Sequence, residues 1–215
     1  MSRRNSGFSE RNMSRSVPTT AAICSRWISL LLFDYAILHD LHEYDSGRDI
    51  HYQLLFGDDE SGEYPDYLQF PVAFRYLDGR IMRDLLDMRY PHCFLISDRV
   101  RDLLGKELIT GWKPFPIILF DKQGEEIKGY NGFTVTGRSG SVCFSIDRKD
   151  IPIGEMKKYV FWNNQQWDGS DIFLIKPNYM VCTQRVIKLL KSHNVDALSY
   201  QPLGAFVTIV GTDSE

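Results

Sequence analysis

The hydrophobic positions of the chain fall mostly into short apolar runs, and only a few stretches carry helical spacing. Residues 27–38 and 51–56 predict strands, and 67–76 predicts a third, bent at Pro71. The stretch 78–88, "DGRIMRDLLDM", predicts a helix, because Ile81, Met82, Leu85 and Leu86 recur at helical intervals. Residues 116–120 predict a strand that turns at "DKQGEE". "IKGYNGFTVTGRSGSVCFSID" predicts two strands separated by a glycine turn at 137–140. "KKYVFWNNQQWDGSDIFLIKP" predicts a strand, a polar turn and another strand. These elements together predict an α+β fold: a strand-rich mixed sheet with a few short helices.

One phrase occurs twice. "FLISDRVRDLL" at 94–104 returns as "MVCTQRVIKLL" at 180–190, an ungapped offset of 86 that sets Arg99 on Arg185, Ser97 on Thr183, Ile109 on Val195 and Pro116 on Pro202. Each copy predicts a strand, then a hydroxyl residue able to cap a helix by accepting a backbone N–H. The helix follows with one apolar stripe: Val100, Leu103 and Leu104, or Val186, Leu189 and Leu190. Lys106, Lys188 and Lys191 gather towards the helix ends, where the dipole favours cations. A second apolar stretch closes each copy. The spacing is too long for a solenoid repeat and suits a duplicated strand-helix-strand unit over 94–116 and 180–202.

Composition narrows the class. With 215 residues, 43% of them hydrophobic, the chain can bury an ample core and suits one domain, 21–215, or two intimately joined halves. A net charge of −3 gives no electrostatic case for nucleic acid. The four cysteines (Cys24, Cys93, Cys143, Cys182) form no CxxC pair and are too scattered for a zinc site; three sit in apolar, strand-like runs, which fits buried thiols in a reducing compartment rather than a disulfide frame. The Arg-, Ser- and Asn-rich segment 1–20 predicts a disordered tail, with Met13 an equally good start. Arg26 and Asp34 cut the apolar text that follows to "WISLLLF", too short to span a bilayer and without a signal-peptide cleavage site. The expectation is a cytoplasmic protein with no membrane partner.

"HDLHEYD" at 39–45 is the densest group of metal-capable side chains. On a helix, His39, His42 and Glu43 would share one face, as metal ligands often do, and with Asp45 could serve a small metal-dependent hydrolase or nuclease. On a strand the two histidines would point apart, and the preceding text is strand-like. His51, His92 and His193 lack a Ser, Cys or Asp partner at a recognisable spacing, and the glycines of 129–140 lack the spacing of a phosphate loop. The expectation is a chain with no catalytic residues, no metal and no cofactor.

Two surface features remain. No Lys or Arg lies between Arg48 and Arg75, while Asp58, Asp59, Glu60 and Glu63 fall there with Tyr64 and Tyr67. That stretch is either a solvated loop or an acidic pad that steers a basic partner. "FWNNQQWDGSD" sets Trp162 and Trp167 around a polar tip, either folded back over the core or exposed as binding anchors.

The phrases "FLISDRVRDLL…ITGWKPFPI", "GFTVTGRSGSVCFSID" and "DIFLIKPNYMVCTQRVIKLLKSHNVDALSYQPL" resemble the immunity proteins of bacterial polymorphic toxin systems. The group is one long known only as a domain of unknown function, with a "vServ…aL…itG…f.P" ending. The similarity covers about residues 93–203, with a weaker echo at 31–38. It implies a cytoplasmic, non-enzymatic α+β protein that binds and neutralises a cognate toxin domain. The shared pattern is hydrophobic and fold-determining, so no binding residue carries over with it.

Overall fold

The computed structural model describes residues 21–23, 35–38, 50–57, 63–64, 66, 68–78, 82–87, 94–176, 179–195 and 200–210. The duplicated phrase folds alike in both places. Strand β5 (Phe94–Ser97) runs into helix α2 (Asp98–Lys106), and β13 (Tyr179–Thr183) into α3 (Gln184–Ser192). Ser97 caps α2 through Val100 N–H at 3.3 Å, whereas Thr183 makes no such bond. Both helices stop in the same manner. Leu108 and Asn194 take left-handed φ of 51° and 53°, and the next N–H, of Ile109 or Val195, donates back to Leu104 or Leu190 at 3.0 and 2.9 Å.

Around these units lie two sheets. One has eight strands in the order β6-β9-β5-β4-β2-β3-β7-β8: Trp112–Phe115, Tyr130–Val135, β5, Leu85–Asp87, Tyr35–Leu38, Val72–Asp78, Ile117–Phe120 and Glu126–Ile127. The other has seven, in the order β14-β1-β13-β12-β10-β11-β15: Gln201–Pro202, Ala21–Ile23, β13, Ile172–Lys176, Gly137–Phe144, Val160–Asn163 and Thr208–Val210. The sheets correspond strand for strand. β2–β4 and β10–β12 pair parallel, β2–β3 and β10–β11 antiparallel, and β3–β7 and β11–β15 parallel. Only β8 has no counterpart among the described residues.

The correspondence exposes an exchange. β1 precedes β2 in sequence but pairs with β13 and β14, while β9 precedes β10 but pairs with β5 and β6. Leu95 faces Gly132 and Val181, 86 residues later, faces Ile23; Phe115 faces Gly132 and Gln201, again 86 later, faces Ile23. Each half therefore lends its first strand to the other half's sheet, between equivalent neighbours. The main apolar core likewise draws on both halves, joining Leu95, Val100 and Leu104 with Ile172, Val186 and Leu190. A second cluster forms around Trp162, Phe173 and Val181.

Some predicted elements differ. Residues 50–56 form helix α1 (Ile50–Phe56), not a strand: Leu54, Leu55 and Phe56 are all buried, and Gly57, at φ 65°, ends the helix with a bond to the Gln53 carbonyl. The strand predicted over 67–76 begins only after Pro71, as β3, since proline can donate no ladder bond. Among the described residues the helix predicted over 78–88 is not found: Leu85 and Leu86 lie in β4, flanked on both sides by strands, and Asp78 ends β3. The 137–140 turn is the start of β10, where the register shifts between Arg138 and Ser141 and Gly140, at φ 63°, sits in the irregularity. Cys182 is buried as expected, but Cys143 is exposed.

Candidate functional site

The best-built polar clusters occur as a matched pair. Asp84, just before β4, accepts the Ser97 hydroxyl at 2.6 Å and Arg99 Nε at 3.0 Å on Oδ1, while Arg99 Nη2 pairs with Oδ2. Asp171, just before β12, accepts the Thr183 hydroxyl at 3.1 Å and Arg185 Nη1 at 3.0 Å. The backbone repeats the motif: Ser97 N–H donates to the Asp84 carbonyl and Thr183 N–H to the Asp171 carbonyl, at 2.8 and 2.9 Å. Each arginine then crosses to the other half. Arg99 Nη1 donates to the His193 carbonyl, at the end of α3, at 2.9 Å, and Arg185 Nη2 donates to the Glu107 carbonyl, at the end of α2. A cation thus meets each helix's negative end, and an arginine from the first turn of each helix reaches the last turn of the other. Burial pushes the Asp84 carboxyl up, but hydrogen bonds from Arg99 and Ser97 and the Arg99 charge outweigh it and leave the group below its ordinary value. A carboxylate held ionised, with an arginine committed to a carbonyl, acts as a clamp between halves.

The Ser97 hydroxyl donates to Asp84 while accepting Val100 N–H, whereas the Thr183 hydroxyl donates to Asp171 and accepts no helix N–H. Asp171 also accepts Thr110 N–H at 3.1 Å, which ties α2's exit loop to the start of β12. These clamps escape a reading of sequence spacing alone. The ungapped offset sets Asp84 on Ser170, one residue short of Asp171, because the paired Leu86 and Leu95 stand nine residues apart and the equivalent Phe173 and Val181 only eight.

The acidic stretch is only partly within view. Asp58, Asp59, Glu60 and Tyr67 lie outside the described residues, as do His39, His42, Glu43 and Asp45 and the 1–20 tail. Among the described residues no group of three or more His, Cys, Asp or Glu is placed to hold a metal. Glu63 is exposed, at 77% of its side chain, yet is not an isolated charge: Lys113 of β6 reaches its carboxylate at 3.0 Å. The same ammonium lies 4.2 Å from the centre of the Tyr64 ring. Tyr64 is half-buried, its ring against Phe70 and Phe115 and its hydroxyl 2.6 Å from Thr134 Oγ1. A stretch free of cations in sequence acquires one from 50 residues away.

The tryptophans part company. Trp162 is a core residue rather than a binding anchor: it is 1% exposed, stacks on Phe173, and donates its indole N–H to the Ser139 carbonyl and hydroxyl, both at 2.9 Å. An inward position on β11 followed by a short polar turn dictates that placement. Trp167, past the turn, is half-buried, with its ring 5.3 Å from Phe173 and its indole N–H on the Ser170 carbonyl at 3.1 Å. Asp168 pins this turn by accepting Arg138 N–H at 2.6 Å and Ser170 N–H at 2.9 Å. Beside it the buried Asn164 has neither amide atom hydrogen-bonded among the described residues. Compared with known protein families and with curated proteins, the chain matches none.

Proposed function

We propose that the chain is a non-enzymatic immunity protein, acting in the cytoplasm, that binds and neutralises a cognate toxin domain of a bacterial polymorphic toxin system. The observation that carries this reading is the resemblance over about 93–203, whose phrases form the helices α2 and α3 and their flanking strands in both halves. Charge and aromatics on the surface supply the means of recognition. Glu63 is exposed beside Tyr64, and with Asp58, Asp59 and Glu60 it forms an acidic stretch suited to a basic toxin surface.

The test is co-expression with the toxin encoded by the neighbouring reading frame. The chain should protect cells and co-purify with the toxin. Mutating Asp58, Asp59, Glu60 and Glu63 together to Gln or Ser should slow association and flatten its salt dependence, leaving the melting temperature unchanged. A purified chain that carries metal and hydrolytic activity, and neither protects nor binds, would sink the reading in favour of the His39, His42 and Glu43 cluster.

A further inference from the structure

The two halves differ at one sheet margin. In the first, β7 lies between β3 and β8, with Leu119 opposite Ile127 and Phe120 opposite Glu126 in antiparallel register. In the second, β15 pairs with β11, and among the described residues no strand lies against its other edge. Phe74 pairs with Leu119 and Trp162 with Ile209, and both aromatics are buried at the middle of their strands, so Ile209 stands where Leu119 does. Leu119, beside Ile127, is 1% exposed; Ile209 is only half-buried. Exposed apolar side chains gather nearby. Val210 is on the strand itself, and Met156 belongs to the Met156–Tyr159 turn that packs on β15. Thr208 Oγ1 donates to the Lys157 carbonyl at 3.2 Å.

We infer that an extended segment of a partner protein adds to β15 as an antiparallel strand and sets an apolar side chain opposite Ile209, as Ile127 sits opposite Leu119. An open strand edge is a template for main-chain pairing, and apolar flanks give the added strand its specificity. A second copy offers only the three residues of its own β15, whereas a partner already held elsewhere on the chain needs few further bonds. The inference rests on the reading of the chain as a partner-binding protein.

The probe is a capped peptide with the sequence of residues 124–130, which includes β8, titrated into the isotope-labelled full chain. Saturable amide shifts confined to 207–210 and 156–158 are expected, and these should vanish when the peptide's isoleucine is replaced by lysine. Because Ile209 also packs against the Trp162 cluster, the lysine variant is compared with Ile209→Ala: in the toxin complex, Ile209→Lys should weaken binding roughly tenfold or more at temperatures where both variants remain folded, and Ile209→Ala distinctly less. Unaltered toxin binding by Ile209→Lys overturns the edge and leaves the immunity reading standing. A wild-type chain that ignores the toxin removes that reading, and the peptide titration then decides the edge alone. Absent shifts at 207–210 overturn it. So does a dimer that Ile209→Lys converts to monomer, or strong exchange protection of every amide of 208–210 in the free chain, since the edge is then taken by a second copy or by the chain itself.

Discussion

At Asp84 a single carboxylate joins three elements: the approach to β4, the cap of α2 and, through Arg99, the last turn of α3. Its folded pKa lies below the ordinary value of 3.8, so folding favours the ionised form. The stability this contributes is present above that value and is lost as pH falls through 3.8 towards the folded pKa. Asp84→Asn should therefore cost about 1–2 kcal/mol near neutrality, a modest figure because Arg99 is half-exposed, and should flatten the fall in melting temperature between neutral and acid pH. Melts of both proteins across that range check it. Parallel curves displaced by a constant would mean that Asp84 acts by shape rather than charge. Gly132 shows a second residue-level constraint: a Cβ there would lie 2.0 Å from the Phe115 ring, so β9 can pass β6 only with glycine at that point.

At the scale of elements, legibility followed locality. Helices α2 and α3 were readable because cap, apolar stripe and stop all lie within a dozen residues and agree. Leu104, at 2% exposure, and Leu190, at 6%, stand at equivalent points of the shared core. Truncating either to alanine should cost on the order of 2–5 kcal/mol. Denaturant melts should show similar losses for both; a loss confined to one would mean that the halves carry the core unequally. Residues 51–56 read as a strand because a short apolar run with Tyr52 and Phe56 favours one, whereas α1 owes its shape to packing, with Thr134 donating to the Leu54 carbonyl. Residues 78–88 failed in the opposite sense. A three-residue strand buried between neighbours has no period of its own, so Leu85 and Leu86 borrowed one from Ile81 and Met82. Trp162 and Trp167 look alike in sequence, and only the side of the turn on which each falls separates core from half-exposed surface.

Across the whole molecule, the exchange of first strands could not be read from local pattern, because which strand β1 or β9 joins is decided by partners as far off as Pro202 is from Ala22, 180 residues along the chain. Its consequence is mutual dependence. The first half lacks β9 between β5 and β6, and the second lacks β1 between β13 and β14. Either half alone would leave paired edges open and Leu95 or Val181 short of a neighbouring strand. The turn between β7 and β8, held by Asp121 accepting Gln123 and Glu125 N–H at 2.9 and 2.8 Å, is exposed and lies before the crossing of β9. Cutting there separates the halves with each strand intact. Fragments 1–123 and 124–215, expressed separately, should each be aggregated or unfolded. Co-expressed, they should form a one-to-one complex that restores the melting transition, because β1, β8 and β9 each reach across the cut. Arg99 and Arg185 should hold that complex as they hold the single chain, so replacing both with alanine should abolish reassembly before it abolishes folding of the uncut protein. A fragment that folds alone, with dispersed amide resonances and a cooperative melt, would show that the exchanged strands decorate two independent halves rather than unite them.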